Sequence, residues 1–250
     1  SVVNATVFDN DVMGGDDCVA IKTIASKSGN ITLRNNRCYG THGISIGSEV
    51  MSGVSNVLVD STAITASDDA GNRSTDNNGL RIKTSIGKGG PVSLITYRNT
   101  CLYGVTSPLV INPFYSSGGS GTAPTFSQIV VNGLRTTGDA GLKGKGWILE
   151  GYNEQTPLDL VLANVATGNK AVTASNARIG LSSSELVPTG TNVTTSTVQL
   201  AGSIPTCSSA PRTRFSSSLV WLRTFCAMAP KAALSSPISS WRATTWSIGM

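Results

Sequence analysis

Charged side chains make up only 13% of this 250-residue chain and aromatic ones 6%, and there is a single histidine. Such scarcity of charge argues against coiled coils, long solvent-facing helices and ordinary α/β folds. No stretch approaches the roughly 18 consecutive apolar residues needed to span a membrane, and the N-terminus lacks the basic-then-apolar pattern of a secretory signal. Because Ser1-Val2-Val3-Asn4 reads as the middle of a strand, the missing signal is taken as truncation. What is present is 39% hydrophobic content, 27 glycines and abundant Ser, Thr and Asn, the make-up of many short strands joined by turns.

The net charge of +5 and pI near 9.1 invite a polyanion-binding reading. The last acidic residue, however, is Glu185, and Arg212, Arg214, Arg223, Lys231 and Arg242 follow it. The basic excess therefore belongs to the tail, and the body gives no reason to expect a nucleic-acid or membrane partner.

The body repeats. Asn4-Ala-Thr-Val, Asn30-Ile-Thr-Leu and Asn56-Val-Leu-Val recur at a constant interval, each followed by a second short apolar segment: Cys18–Lys22, Gly43–Gly47, Gly79–Lys83 and later Pro108–Asn112. Several strands per period of about 25 residues, with no helical segment between them, predict a solenoid of stacked parallel strands. The polar stretch from Ser67 to Asn77 reads as a loop inserted into one turn. Weaker rungs continue through Ser127–Val131, Gly146–Leu149 and Leu158–Leu162, and the pattern stops near Ile204. Two segments follow: an all-β solenoid over 1–204, and a tail over 205–250 without acidic residues, rich in Ser, Ala and Arg and holding three of the four tryptophans. A cap, disorder and a frame shift would each account for that tail.

Aligning the second strands on Ile21, Ile46 and Ile82 brings Asp17, His42 and Asn78 to one offset and sets Arg81 and Lys83 on either side of Ile82. Side chains alternate along a strand, so two carboxylates, an imidazole and two cations are expected on one surface within about 10 Å. Taken singly, Asp-Asp is commonly a turn, a lone His structural, and Arg-x-Lys a solvated edge. Together they suit cleavage of a glycosidic bond in an anionic sugar chain, with carboxyl groups as proton donor and water activator and cations to neutralise the substrate. Adjacency of Asp16 and Asp17 would raise one pKa and keep a proton available.

Gly15-Asp16-Asp17-Cys18-Val19-Ala20-Ile21, Thr41-His42-Gly43-Ile44-Ser45-Ile46-Gly47-Ser48 and Asn78-Gly79-Leu80-Arg81-Ile82-Lys83-Thr84 resemble, in order and spacing, the motifs of family 28 glycoside hydrolases, the polygalacturonases. The resemblance is firm from about Asn4 to Gly138 and fades toward Ile204. It implies a right-handed parallel β-helix and inverting hydrolysis of α-1,4-galacturonosidic bonds in pectin without cofactor or metal. Asp16 would be the general acid, Asp17 a water-activating carboxylate, and His42 the support of the acid. Arg81 and Lys83 would grip galacturonate carboxylates, with Tyr115 touching substrate, although Pro113 stands where a Gln is usual. Thr41 replaces a motif glycine. The family's third carboxylate, in an Asn-Thr-Asp motif, would fall upstream of Ser1, and Asp9 and Asp11 do not replace it; a chain starting at Ser1 is therefore expected to have little hydrolase activity.

A disulfide between Cys18 and Cys38 is implied by the same resemblance, with buried free thiols as the alternative. A secreted monomer is expected. A pectate or pectin lyase on the same solenoid, or an inactive carbohydrate-binding remnant, are the competing readings.

Overall fold

A computed structural model describes residues 1–117, 119–138, 146–168, 171–183, 186–207 and 210–211, all within one compact unit, Ser1–Arg214. The described residues form strands and turns without a helix, so none is long and apolar enough to cross a membrane. The first rung comprises β1 (Val3–Phe8), β2 (Asp11–Met13) and β3 (Val19–Thr23), the second β4 (Ser28–Arg34), β5 (Arg37–Tyr39) and β6 (Ile44–Val50), and the third β7 (Val54–Asp60), β8 (Ala63–Thr65) and β9 (Asn78–Lys83). Then follow β10 (Pro91–Tyr103), β11 (Ser107–Asn112), β12 (Thr125–Thr137), β13 (Trp147–Glu150), β14 (Leu158–Ala166), β15 (Val172–Leu181) and β16 (Thr189–Thr197). Every pairing among these strands is parallel, the signature of a parallel β-helix.

Three faces result. Long strand β10 turns a corner within itself, continuing the first face on β7 through Val92–Arg98 and the second on β8 through Cys101–Tyr103. The third face stacks β3, β6, β9, β11, β13 and the start of β15. Farther along, β15 pairs with β13 through Val172 and with β14 through Ala177, joining the third face to the first.

The interior is built from columns of like residues. Ile21, Ile46, Ile82, Ile111 and Leu149 lie in register, as the alignment of the second strands requires. All five are buried, as are Ile31, Val57, Ile95, Ile129 and Leu160 on the first face. Each rung alone would leave its apolar row open, so neighbours stabilise one another. The inserted loop 67–77 sits between β8 and β9 and leaves the register of Ile46 with Ile82 intact.

The recurring asparagines have a conformational cause. Asn4, Asn30 and Asn56 hold φ of 57°, 54° and 55°, a left-handed turn that Asn tolerates better than most residues. Their side chains form a ladder, Asn30 Nδ2 donating to Asn4 Oδ1 at 2.9 Å and Asn56 Nδ2 to Asn30 Oδ1 at 2.7 Å, each pair 26 residues apart.

Of the 205–250 segment, only residues 205–207 and 210–211 are described. The stretch leading into it runs back over the solenoid: Asn132 Nδ2 donates to the Ala201 carbonyl at 2.9 Å and Arg135 Nε to that of Pro205 at 2.8 Å. Cys207 closes a disulfide with Cys101 of β10. The alternatives for the remaining tail concern residues outside those described.

Candidate functional site

The third face and the loops beside it carry every site residue expected from the motifs. Asp16 and Asp17 immediately precede β3, in the turn closed by Gly14 and Gly15. Cys18, next in sequence, is disulfide-bonded to Cys38. The backbone stacks this turn on the next rung: His42 N donates to the Asp16 carbonyl and Cys18 N to that of Gly43, both at 2.8 Å. His42 Nδ1 then lies 3.1 Å from Asp16 Oδ1. Thr41 fits because the left-handed angles fall on its neighbours Gly40 (φ 64°) and Gly43 (φ 84°). A side chain at Gly43 would stand 2.1 Å from the Gly79 carbonyl oxygen, so that glycine is sterically required.

The adjacent carboxylates occupy opposite environments. The Asp16 side chain is 89% exposed and that of Asp17 10%. Asp17 Oδ1 accepts from Ser45 Oγ at 2.7 Å and Arg81 Nη2 at 2.6 Å, and Lys83 Nζ donates to Oδ2 at 3.0 Å. Burial raises the Asp17 pKa, but bonds from Ser45, Lys83 and Arg81 outweigh it and hold the group below the usual carboxylate value. Asp16 is also lowered, first by the Asp17 N–H that donates to its Oδ1 at 2.7 Å, against the repulsion of Asp17. The expected elevation of one carboxyl by its neighbour is thus not what the free protein shows.

Arg81 and Lys83 are not the solvated edge that Arg-x-Lys commonly makes; their side chains are 3% and 7% exposed. Besides Asp17, Arg81 engages Ser45 through Nε at 3.0 Å and Asp76 through Nη1 at 2.7 Å. Three of its five donors are committed to protein, so Arg81 acts first as a holder of Asp17. Lys83 Nζ also lies 5.0 Å from the centre of the Tyr115 ring, within cation–π range. Tyr115 is half exposed and anchored by its N–H on the Thr84 carbonyl at 2.8 Å. Asn78, Arg81, Lys83, Asn112 and Tyr115 line a groove that runs on from Asp17.

Two members of the site went unread in the sequence. Ser45 pairs with Arg81 in register, so the alignment of second strands contained the signal. Asp76 lies in the inserted loop, where nothing in the sequence distinguishes it from other polar residues. Asp9 and Asp11 sit elsewhere, as expected: Asp9 accepts from Asn35, and Asp11 from Arg37 and from Tyr39 Oη at 2.9 Å.

Asp16, Asp17 and His42 each bring a potential metal-ligating atom within 4.8 Å of the others. Cation binding there is opposed by Arg81 and Lys83, which already occupy the Asp17 oxygens. The same spacing is tighter than the roughly 6.5–9.5 Å that leaves room for water between an inverting pair. Inversion therefore rests on the resemblance alone, and an attacking water would have to sit beside the two carboxyls.

The model of the family described as glycosyl hydrolases family 28 matches residues 1–202. The chain is 38% identical over 165 residues to a polygalacturonase of Ralstonia nicotianae, covering 65% of this chain and 30% of that protein. It is 34% identical over 165 residues to an endo-polygalacturonase of Pectobacterium carotovorum subsp. carotovorum, covering 65% and 37%. Among solved structures, the polygalacturonase from Erwinia carotovora ssp. carotovora superimposes with a TM-score of 0.54 at 26% identity, covering 78% of this chain and 44% of that one. The chain thus spans about a third of the length of the first two relatives. With matching fold, motif order and family model, this chain belongs to glycosyl hydrolases family 28.

Proposed function

We propose that this chain carries the catalytic face of a polygalacturonate hydrolase, in which Asp16 donates a proton to the leaving glycosidic oxygen and Asp17 helps activate water. The observation that carries the reading is the split between the carboxylates: one exposed and touched by His42, the other buried and held ionised by two cations beside an open groove.

Proton donation requires Asp16 protonated, whereas the Asp17 N–H favours its ionised form in the free protein. A sugar ring seated over Asp16 would displace water, and a uronate charge nearby would repel the ionised form; both raise its pKa. Activity is therefore expected on the acid side of neutrality, falling as rising pH removes the proton. His42 orients the Asp16 carboxyl from the neighbouring rung. Lys83 and Tyr115 form the wall against which a galacturonate packs. Two disulfides support a secreted protein folded in an oxidising compartment.

The test is incubation with polygalacturonate while following reducing ends and near-ultraviolet absorbance together. Reducing ends without new absorbance mean hydrolysis; absorbance from a new double bond means a lyase. Binding without either product identifies a carbohydrate-binding role. The anomeric configuration of the first product, read by proton NMR, decides inversion.

A further inference from the structure

The charges closest to Asp17 cancel: Arg81 and Lys83 face Asp17 and Asp76. Both cations are buried in those contacts, so neither offers a fully free charge to a substrate carboxylate. A second group of charges, with a local positive surplus, lies beside them. Lys22 leaves β3 on the outward side of the third face, the side that Arg81 and Lys83 occupy on β9, as alternation from the inward Ile21 and Ile82 dictates. Its side chain is 50% exposed and its ammonium pairs with Glu49 Oε2 at 3.0 Å. Lys88, from the turn after β9 and 47% exposed, reaches the other Glu49 oxygen at 3.4 Å.

Glu49 is 23% exposed and bridges two lysines brought from different rungs. The Lys22 contact, helped by Ser48 Oγ at 3.0 Å, holds its pKa down to about 2, which favours the ionised form that pairs with both lysines. Two cations on one anion leave one positive charge, pinned in place and half open to solvent. Lys22 also feels the charges of Asp17 and Asp16, which puts the surplus within electrostatic reach of the reacting centre. On the intervening rung Gly47 lies in register with Lys83, packed so closely that a Cβ would stand 1.8 Å from the Lys83 carbonyl oxygen, and β6 bulges opposite Lys22 before Val50 pairs with Thr23, which brings Glu49 to Lys22.

We propose that Lys22 and Lys88, held by Glu49, form an anion subsite at the C-terminal ends of β3 and β9 that takes the carboxylate of a second sugar of the bound chain. This rests on the reading of the substrate as an acidic sugar chain and adds where a second carboxylate is held. The third face then reads charge at two positions along the bound chain, and chain length and esterification both affect affinity.

The experiment is calorimetric titration of the full chain and of Lys22→Gln, Lys88→Gln and Lys22→Arg with galacturonate hexamer and its fully methyl-esterified form. The parent chain is expected to bind the acid hexamer more tightly than the ester, each Gln variant to lose about tenfold in affinity for the acid form, and Lys22→Arg to retain most of it. Ester affinity should not respond to the Gln substitutions. Both lysines are half exposed, and circular dichroism checks that the variants fold. Gln variants that bind the acid hexamer as the parent does overturn the subsite while leaving the acidic-sugar reading standing. A parent chain indifferent to esterification, or binding neither hexamer, refutes that reading and the subsite with it.

Discussion

Asp16 and Asp17 are neighbours of identical chemistry, yet replacing Asp17 by Asn is expected to destabilise the fold while the same change at Asp16 leaves stability unchanged. Asp17→Asn keeps the shape but removes the charge that pairs with Arg81 and Lys83, whose side chains are 3% and 7% exposed. Removing one partner of a buried ion pair strands the others at about 3–5 kcal/mol. Arg81 retains Asp76 at 2.7 Å, so the lower end applies: about 3 kcal/mol, or roughly 6–12 °C in melting temperature for a domain of this size. Asp16→Asn alters a group open to water and should leave the melting temperature where it is. Urea denaturation at fixed ionic strength measures both. The pH dependence supplies a second check, since the Asp17 pKa is lower folded than unfolded. Its stabilisation is full above the unfolded value and lost as pH falls through the folded one, so the parent's advantage over Asp17→Asn should hold from pH 7 to about 4 and shrink below. Equal effects from the two substitutions, or a pH-independent difference, would refute the assignment of Asp17 as a buried, ionised anchor.

Other expectations follow from the same geometry. Leu94 holds φ of 56° at the position of β10 opposite Asn56, with its side chain 50% exposed; Leu94→Asn should relieve the strain and extend the amide ladder, raising stability by about 1 kcal/mol in denaturant titration. Asn30→Val, at φ of 54° in the ladder, should lower it by about 1–2 kcal/mol. Cys207→Ala opens a disulfide spanning 106 residues against 20 for Cys18–Cys38, and the chain-entropy account expects the longer closure to contribute more, about 4–5 kcal/mol; melting Cys207→Ala and Cys18→Ala side by side compares them. If the chain hydrolyses polygalacturonate, His42→Gln should lower turnover and reshape the high-pH limb of the rate profile, with stability little changed.

Architecture was legible because a solenoid writes its period into the chain. Asparagine recurs where the backbone turns left-handed, and isoleucine where the interior column passes, so aligning Ile21, Ile46 and Ile82 is enough to place His42 and Arg81 on one face with Asp17. Contacts set by side-chain reach were harder to read. Nothing in Arg-x-Lys distinguishes a cation that greets substrate from one consumed by Asp17, since the difference lies in the burial that the neighbouring rungs impose. Asp76 was hidden because a loop has no register to align. The path of residues 200–207 back over earlier rungs was likewise invisible, being fixed by Asn132, Arg135 and Cys101 far away in sequence.

The central claim is that an acidic sugar chain lies along the third face with a glycosidic oxygen at Asp16. A crystal structure of Asp16→Asn bound to galacturonate hexamer tests it most directly. The account predicts a glycosidic oxygen within hydrogen-bonding distance of the residue-16 side chain, with one carboxylate beside Lys83 and Tyr115 and another at Lys22 and Lys88. A hexamer bound on another face, or along this one with no glycosidic oxygen near residue 16, would contradict it.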